Sequence, residues 1–197
     1  EEAGVTPPSD WQELKEAAEK LTTKDRSGFL MCGMEGEQGA FQILPWILSA
    51  GGTVDAIDGL PWTETFEFFS ELLKSGSMSA NCINLTQTDV AREFNEGKTA
   101  MMQNGPWVLP MLKEAGTDYG IVSLSENGSP AAVLGGENIT IIKGKNAEGS
   151  LVFLNYCMEN EELLKFCKSA SILPAKISAA KEMAAEDEDM KVFEEQM

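Results

Sequence analysis

Trp107 stands in the context best suited to chemistry in this 197-residue chain. It follows the sharp turn Asn104-Gly105-Pro106, itself preceded by a short apolar run, Thr99 to Gln103. That run reads as a strand, and in open α/β sheets ligands gather at strand ends. An indole there offers a flat face for stacking on C–H groups and an N–H at its edge. A second cluster is Gly135-Gly136-Glu137-Asn138. Paired glycines let the backbone approach a ligand closely, and Glu137 and Asn138 supply a carboxylate and an amide to hydroxyls. Phe41 is a further ring, with Glu37 and Gln38 just ahead of it. The indole and the diglycine cluster suit the non-covalent capture of a polar ligand that also has apolar ring faces. Each has a plainer role beside that one. Trp107 and Phe41 are also ordinary core residues, the diglycine also an ordinary bulge with Glu137 solvated, and Glu37 and Gln38 ordinary helix caps. Trp11, Trp46 and Trp62 read as packing or loop anchors.

Composition removes much of the remaining chemistry. There is no histidine, which excludes Ser-His and Cys-His nucleophile pairs, His-ligated metals and the usual general base near neutral pH. The four cysteines, Cys32, Cys82, Cys157 and Cys167, form no CxxC pair. A zinc knuckle or thioredoxin-type motif is therefore not expected, and the thiols read as buried or half-buried, with one or two disulfides left open. No metal and no cofactor are expected, and no GxxxxGK[ST] phosphate loop occurs. Fifteen basic against 32 acidic residues give a formal charge of −17, which repels phosphate backbones and anionic headgroups and argues against nucleic acid as a partner. The stretch Phe41 to Ala50 is about half the length that spans a bilayer.

The elements that must position these residues follow from periodicity and punctuation. Ser9 or Asp10 caps a first helix, with Gln12 or Glu13 respectively completing a capping box. Trp11, Leu14, Ala18 and Leu21 then recur at helical spacing. Ser27 to Gly33 reads as a buried strand, Gln38 to Ala50 as a helix ended by Gly51-Gly52, Thr53 to Pro61 as a loop and Thr63 to Lys74 as an amphipathic helix. A helix over Thr88 to Glu96 leads to the Thr99 to Gln103 strand, and Pro106 suits the first position of a helix from Trp107 to Ala115. Asp118 to Leu124, Ala132 to Leu134 and Asn138 to Ile142 read as further strands. Beyond Lys143 the pattern is helical: Ala147 to Met158, Glu161 to Lys168, Ile177 to Ala184 and Asp187 to Gln196. Alternating strands and helices make the class α/β with a mainly helical C-terminal third.

Several phrases in fixed order resemble one family. Gly4 to Leu14 (GVTPPSDWQEL) is similar to the opening Pro-Pro-x-Thr-Trp-x-Glu-Leu helix of extracellular solute-binding proteins of bacterial carbohydrate ABC importers, the maltose-binding-protein-like group. Phe41 with Gly51-Gly52, then Phe94 to Trp107 (FNEGKTAMMQNGPW), then Leu134 to Ile141 (LGGENITI) and Leu173-Pro174 continue the resemblance along nearly the whole chain. Asp10 stands where Thr is usual and keeps a capping oxygen. Gly39-Ala40-Phe41 stands where maltose-binding protein has an acidic residue and a tyrosine.

The resemblance implies a periplasmic-binding-protein-like type II fold whose two lobes close on a sugar or oligosaccharide without catalysis. It implies that residues 1–137 are the second lobe, and that residues 138–197 are a hinge crossing plus helices that pack partly on a first lobe. Glu1 to Val5 would then be the tail of a preceding element. The implied ligand residues are Trp107, Gly136, Glu137, Asn138 and Phe41. The implied partners are the sugar and the transporter permease. The implied location is extracellular or periplasmic, on a cell-surface lipoprotein that touches the membrane through a lipid anchor outside this chain. Two alternatives stand beside it: a binding protein of the same shape for a peptide, polyamine or metal complex, and a sugar-acting hydrolase using two carboxylates.

Overall fold

The computed structural model describes residues 4–136 and 138–196, and its first helix, α1 (Trp11–Leu21), begins on Asp10. Asp10 Oδ1 accepts from the Glu13 backbone N–H at 2.7 Å, satisfying one of the free donors of the first turn. The Glu13 carboxylate reaches back to accept from the backbone N–H and hydroxyl of Ser9, at 2.9 and 2.8 Å, which holds its pKa below the usual carboxylate value. Trp11, Leu14, Ala17 and Ala18 form the buried stripe of α1. That stripe lies against strand β1 (Ser27–Leu30) so closely that a Cβ on Gly28 would fall 1.9 Å from the Ala18 carbonyl oxygen. Gly28 is thus fixed by packing.

β1 pairs in parallel with β2 (Thr99–Met102), with Ser27 opposite Thr99, Phe29 opposite Met101 and Leu30 opposite Met102. A parallel pair needs a long crossover. Here it carries α2 (Glu37–Ser49), α3 (Leu60–Ser75), a 3-10 turn (Ala80–Asn84) and α4 (Gln87–Asn95). Gly76, at φ 76°, ends α3 in the left-handed conformation that glycine adopts without strain. Thr86 and Asp89 close a full capping box at the start of α4. After β2 come a 3-10 turn (Pro106–Val108) and α5 (Leu109–Ala115).

The core between these layers is aromatic. Trp46, fully buried, stacks on Phe68 with ring centroids 5.8 Å apart and meets Phe69 edge-on at 5.1 Å, while Trp11 lies 4.8 Å from Phe68. Burying side chains of this size stabilises the fold by about 1.5–3 kcal/mol each. Trp11 and Trp46 are therefore packing residues, and Trp62 anchors its loop by donating from Nε1 to the Thr53 carbonyl at 2.9 Å.

The chain divides into two compact units. The first runs to Val133 and includes Gln196; the second runs from Leu134 to Glu195. The second holds α6 (Ala147–Cys157), α7 (Asn160–Ala170), α8 (Ile177–Glu186) and α9 (Glu188–Glu195). Leu163, Leu164 and Cys167 of α7 are buried, as are Ala179, Ala180, Met183 and Ala184 of α8 and Met190 of α9. Helix α6 buries none of its residues, although Leu151, Val152, Phe153 and Tyr156 are all exposed on it.

Three expected strands are absent. Asp118 to Leu124, Ala132 to Leu134 and Asn138 to Ile142 contain no regular strand, and β1 with β2 is the whole sheet among the described residues. Their composition suits a strand, but a strand exists only through its ladder of hydrogen bonds, and among the described residues no neighbour supplies one there. The α3 helix also starts earlier than Thr63, because Gly59 takes the cap position and Pro61 suits the first turn.

Candidate functional site

The C-terminal end of β2 builds the site. Gln103 continues the ladder, donating its backbone N–H to the Leu30 carbonyl at 3.0 Å. Its side chain is fixed at both ends: Oε1 accepts from Trp46 Nε1 at 2.7 Å and Nε2 donates to the Gln42 carbonyl at 2.8 Å. Asn104 Nδ2 donates to the Gln87 carbonyl at 2.8 Å, and its Oδ1 accepts from the Gly105 N–H at 3.1 Å. Strand end, α2 and the start of α4 are thereby locked together before the chain turns.

The turn places Trp107. Pro106 opens the 3-10 turn, and the indole folds back over Gly105. A Cβ on Gly105 would lie 2.1 Å from both Cζ3 and Cη2 of Trp107, so only glycine admits this ring position. Trp107 is 38% exposed, while its neighbours Pro106 and Val108 are buried. The Phe41 ring, half-buried on α2, stands 6.1 Å from it at an interplanar angle of 55°. Phe41 lies four residues before Pro45, whose ring nitrogen carries no hydrogen, so the helix lacks its usual bond onto the Phe41 carbonyl.

Gln38 turns out to cap a helix other than its own. Its Oε1 accepts from the Gln87 backbone N–H at 2.9 Å, at the first residue of α4. Glu37 is exposed in the first turn of α2. Gly136 and Asn138 are exposed residues of the second unit without regular structure, and Glu137 lies outside the described residues. The structure thus brings Trp107 and Phe41 together in the first unit. Gln103, Asn104 and Gly105 emerge as the residues that hold Trp107. Of these, the sequence marked only the Asn-Gly-Pro turn, since a half-buried amide bridging two distant elements leaves no local pattern.

What this arrangement offers is ring surface and a rigid support. The groups at the strand end are indole, phenyl and amide, with no acid, base or nucleophile among them. Among the described residues no group of three or more His, Cys, Asp or Glu side chains is set to hold a metal ion, and no helix is long and apolar enough to cross a membrane.

The family described as bacterial extracellular solute-binding protein matches residues 1–192. A binding protein of Brucella abortus is 25% identical over 195 residues, covering 92% of this chain and 47% of the relative. The maltooligosaccharide ABC transporter solute-binding lipoprotein of Streptococcus pneumoniae is 32% identical over 100 residues, covering 49% of this chain and 23% of its own. The chain spans about half the length of the curated relatives it matches in full. The crystal structure of an ABC transporter solute-binding protein from Thermotoga lettingae, bound with α-D-tagatose, superposes with a TM-score of 0.82 at 24% identity, over 97% of this chain and 54% of that one. The expected α/β, periplasmic-binding-protein-like fold is therefore the fold observed.

Proposed function

The chain belongs to the bacterial extracellular solute-binding protein family, and from that premise we propose that it is part of the substrate-binding component of an ABC importer, taking a sugar or oligosaccharide into a cleft between two lobes and releasing it unchanged to the permease. The protein works outside the cytoplasmic membrane, in the periplasm or as a cell-surface lipoprotein. One observation carries this reading: a partly exposed indole seated on glycine beside a second ring, at the end of a strand. Sugars need stacking surface for their C–H faces and firm polar partners for their hydroxyls. Trp107 and Phe41 supply the first within one unit; Gly136, Glu137 and Asn138 are the residues whose chemistry suits the second. The tagatose bound by the Thermotoga lettingae protein and the ligand class in the Streptococcus pneumoniae name support a carbohydrate. No reacting group is required, because binding and release make no covalent change.

Residues 1–137 form the second lobe in this reading, and residues 138–197 form a hinge crossing and helices that pack partly on the first lobe. Helix α6 supports it. A helix with large apolar residues on every side is normally a buried one, yet α6 buries nothing within its unit. Its exposed Leu151, Val152, Phe153 and Tyr156 suit a covering lobe in the whole protein.

A thermal-shift screen of sugars against the whole protein tests the function, since a ligand raises the melting midpoint only by binding the folded state. Calorimetry with the best sugar should then show Trp107→Ala weakened by about 1–3 kcal/mol, the cost of one buried aromatic contact. Midpoints raised by peptides or polyamines and by no sugar would overturn the ligand class.

A further inference from the structure

Beyond β1 the chain stays in the core: Met31 and Cys32 are both buried, Cys32 completely. The next residue, Gly33, donates its backbone N–H to the Cys82 carbonyl at 3.0 Å. Each Cα sits about 2.4 Å from the atom that its peptide contributes to that bond, so the Cys32 and Cys82 Cα atoms lie no more than about 8 Å apart. Disulfides usually span 4.4–6.8 Å between Cα atoms, a range that lies within this limit. Cys82 Sγ lies beside the residue that follows Cys32, 3.3 Å from where a Cβ on Gly33 would be. Both side chains belong to the same buried cluster, and both are free thiols here. Burial raises the Cys82 pKa, and the neighbouring Cys32 raises it further.

We infer that Cys32 and Cys82 join as a disulfide that fastens the end of β1 to the 3-10 turn ahead of α4. An extracellular family works where disulfides form and persist. The oxidant is a small disulfide, R–S–S–R. One cysteine loses its proton and attacks it, forming a mixed disulfide and expelling R–S⁻, which takes up that proton. The second cysteine does the same to the mixed disulfide, forming the Sγ–Sγ bond and releasing a second R–SH. Two electrons pass from the cysteine pair to the reagent. Exchange needs a reachable thiol, and both are buried in the folded core, so the bond forms while the chain folds. The bridge closes the crossover that carries α2 and α3, which restricts the unfolded chain. It thereby steadies the support beneath Gln103 and Trp107.

The test is to refold the chain in a buffer of oxidised and reduced glutathione, quench with acid, alkylate in denaturant without reductant, and weigh the product. The expected product carries two alkyl groups, on Cys157 and Cys167, and yields on digestion a reduction-sensitive peptide joining Cys32 to Cys82. Four alkyl groups, or a bridge that engages Cys157 or Cys167, would overturn the inference.

Discussion

Gly105→Ala probes the indole's seat without touching the indole. The φ of Gly105 is −105°, within the range open to any residue, so alanine brings no backbone strain. What it brings is a methyl group 2.1 Å from two ring atoms of Trp107. Ordinary carbon contacts begin near 3.5 Å, so the ring must move by about 1.4 Å or more. An indole is rigid and cannot bend away; it must swing about its own side-chain torsions. Because Trp107 is partly exposed, it has open space on its solvent side, and the unfolding midpoint should fall only slightly. Its stacking position is lost all the same, so the ligand should bind roughly 5- to 150-fold more weakly, the equivalent of about 1–3 kcal/mol. Calorimetry on the whole protein with the best sugar from the thermal screen measures this, beside Trp107→Ala and the double variant. Since the glycine acts through the indole, the double variant should be no weaker than Trp107→Ala alone. A folded Gly105→Ala protein that binds like the parent would refute the reasoning, as would losses that simply add.

Other consequences follow from the same structure. Gln103→Leu removes the acceptor of the Trp46 indole N–H and the donor to the Gln42 carbonyl; stranding these groups should cost about 1–3 kcal/mol in urea unfolding. The Asp89 carboxyl is held below its ordinary pKa by hydrogen bonds from the Thr86 hydroxyl and backbone N–H. A depressed carboxylate stabilises the fold above its unfolded pKa of about 3.9, and that contribution is lost as pH falls through the folded value. The stability gap between the parent and Asp89→Asn should therefore be full at neutral pH and close in acid, as urea midpoints across pH would record. With α6 uncovered, the 197-residue chain should bind an apolar fluorescent dye, and the pair Val152→Ser and Phe153→Ser should reduce that signal at unchanged helicity by circular dichroism.

How much of this was legible beforehand depended on whether the cause was local. The start of α1 was readable, because a cap is a contact within a few residues. So was the turn ahead of Trp107, since Asn-Gly-Pro punctuates any chain. The strands expected at Asp118 to Leu124, Ala132 to Leu134 and Asn138 to Ile142 failed for the opposite reason. Their composition suits a sheet, but a sheet needs a neighbour, and composition does not announce one. Gln38 shows the same limit on a smaller scale. It caps, as its type suggested, but the helix it caps begins 49 residues later. At the site, the sequence marked the turn, and the structure leaves Trp107 partly exposed just beyond it. The need for Gly105 did not show, because it arises only when the ring folds back across it.

The central claim is that Trp107 is the surface on which the ligand lies. A crystal structure of the whole protein, grown with the sugar that most raises its melting midpoint, tests this most directly. The expected result is a sugar ring with its C–H face on the indole at about 4 Å, within reach of Phe41. A sugar seated elsewhere, with Trp107 still facing solvent, would contradict it.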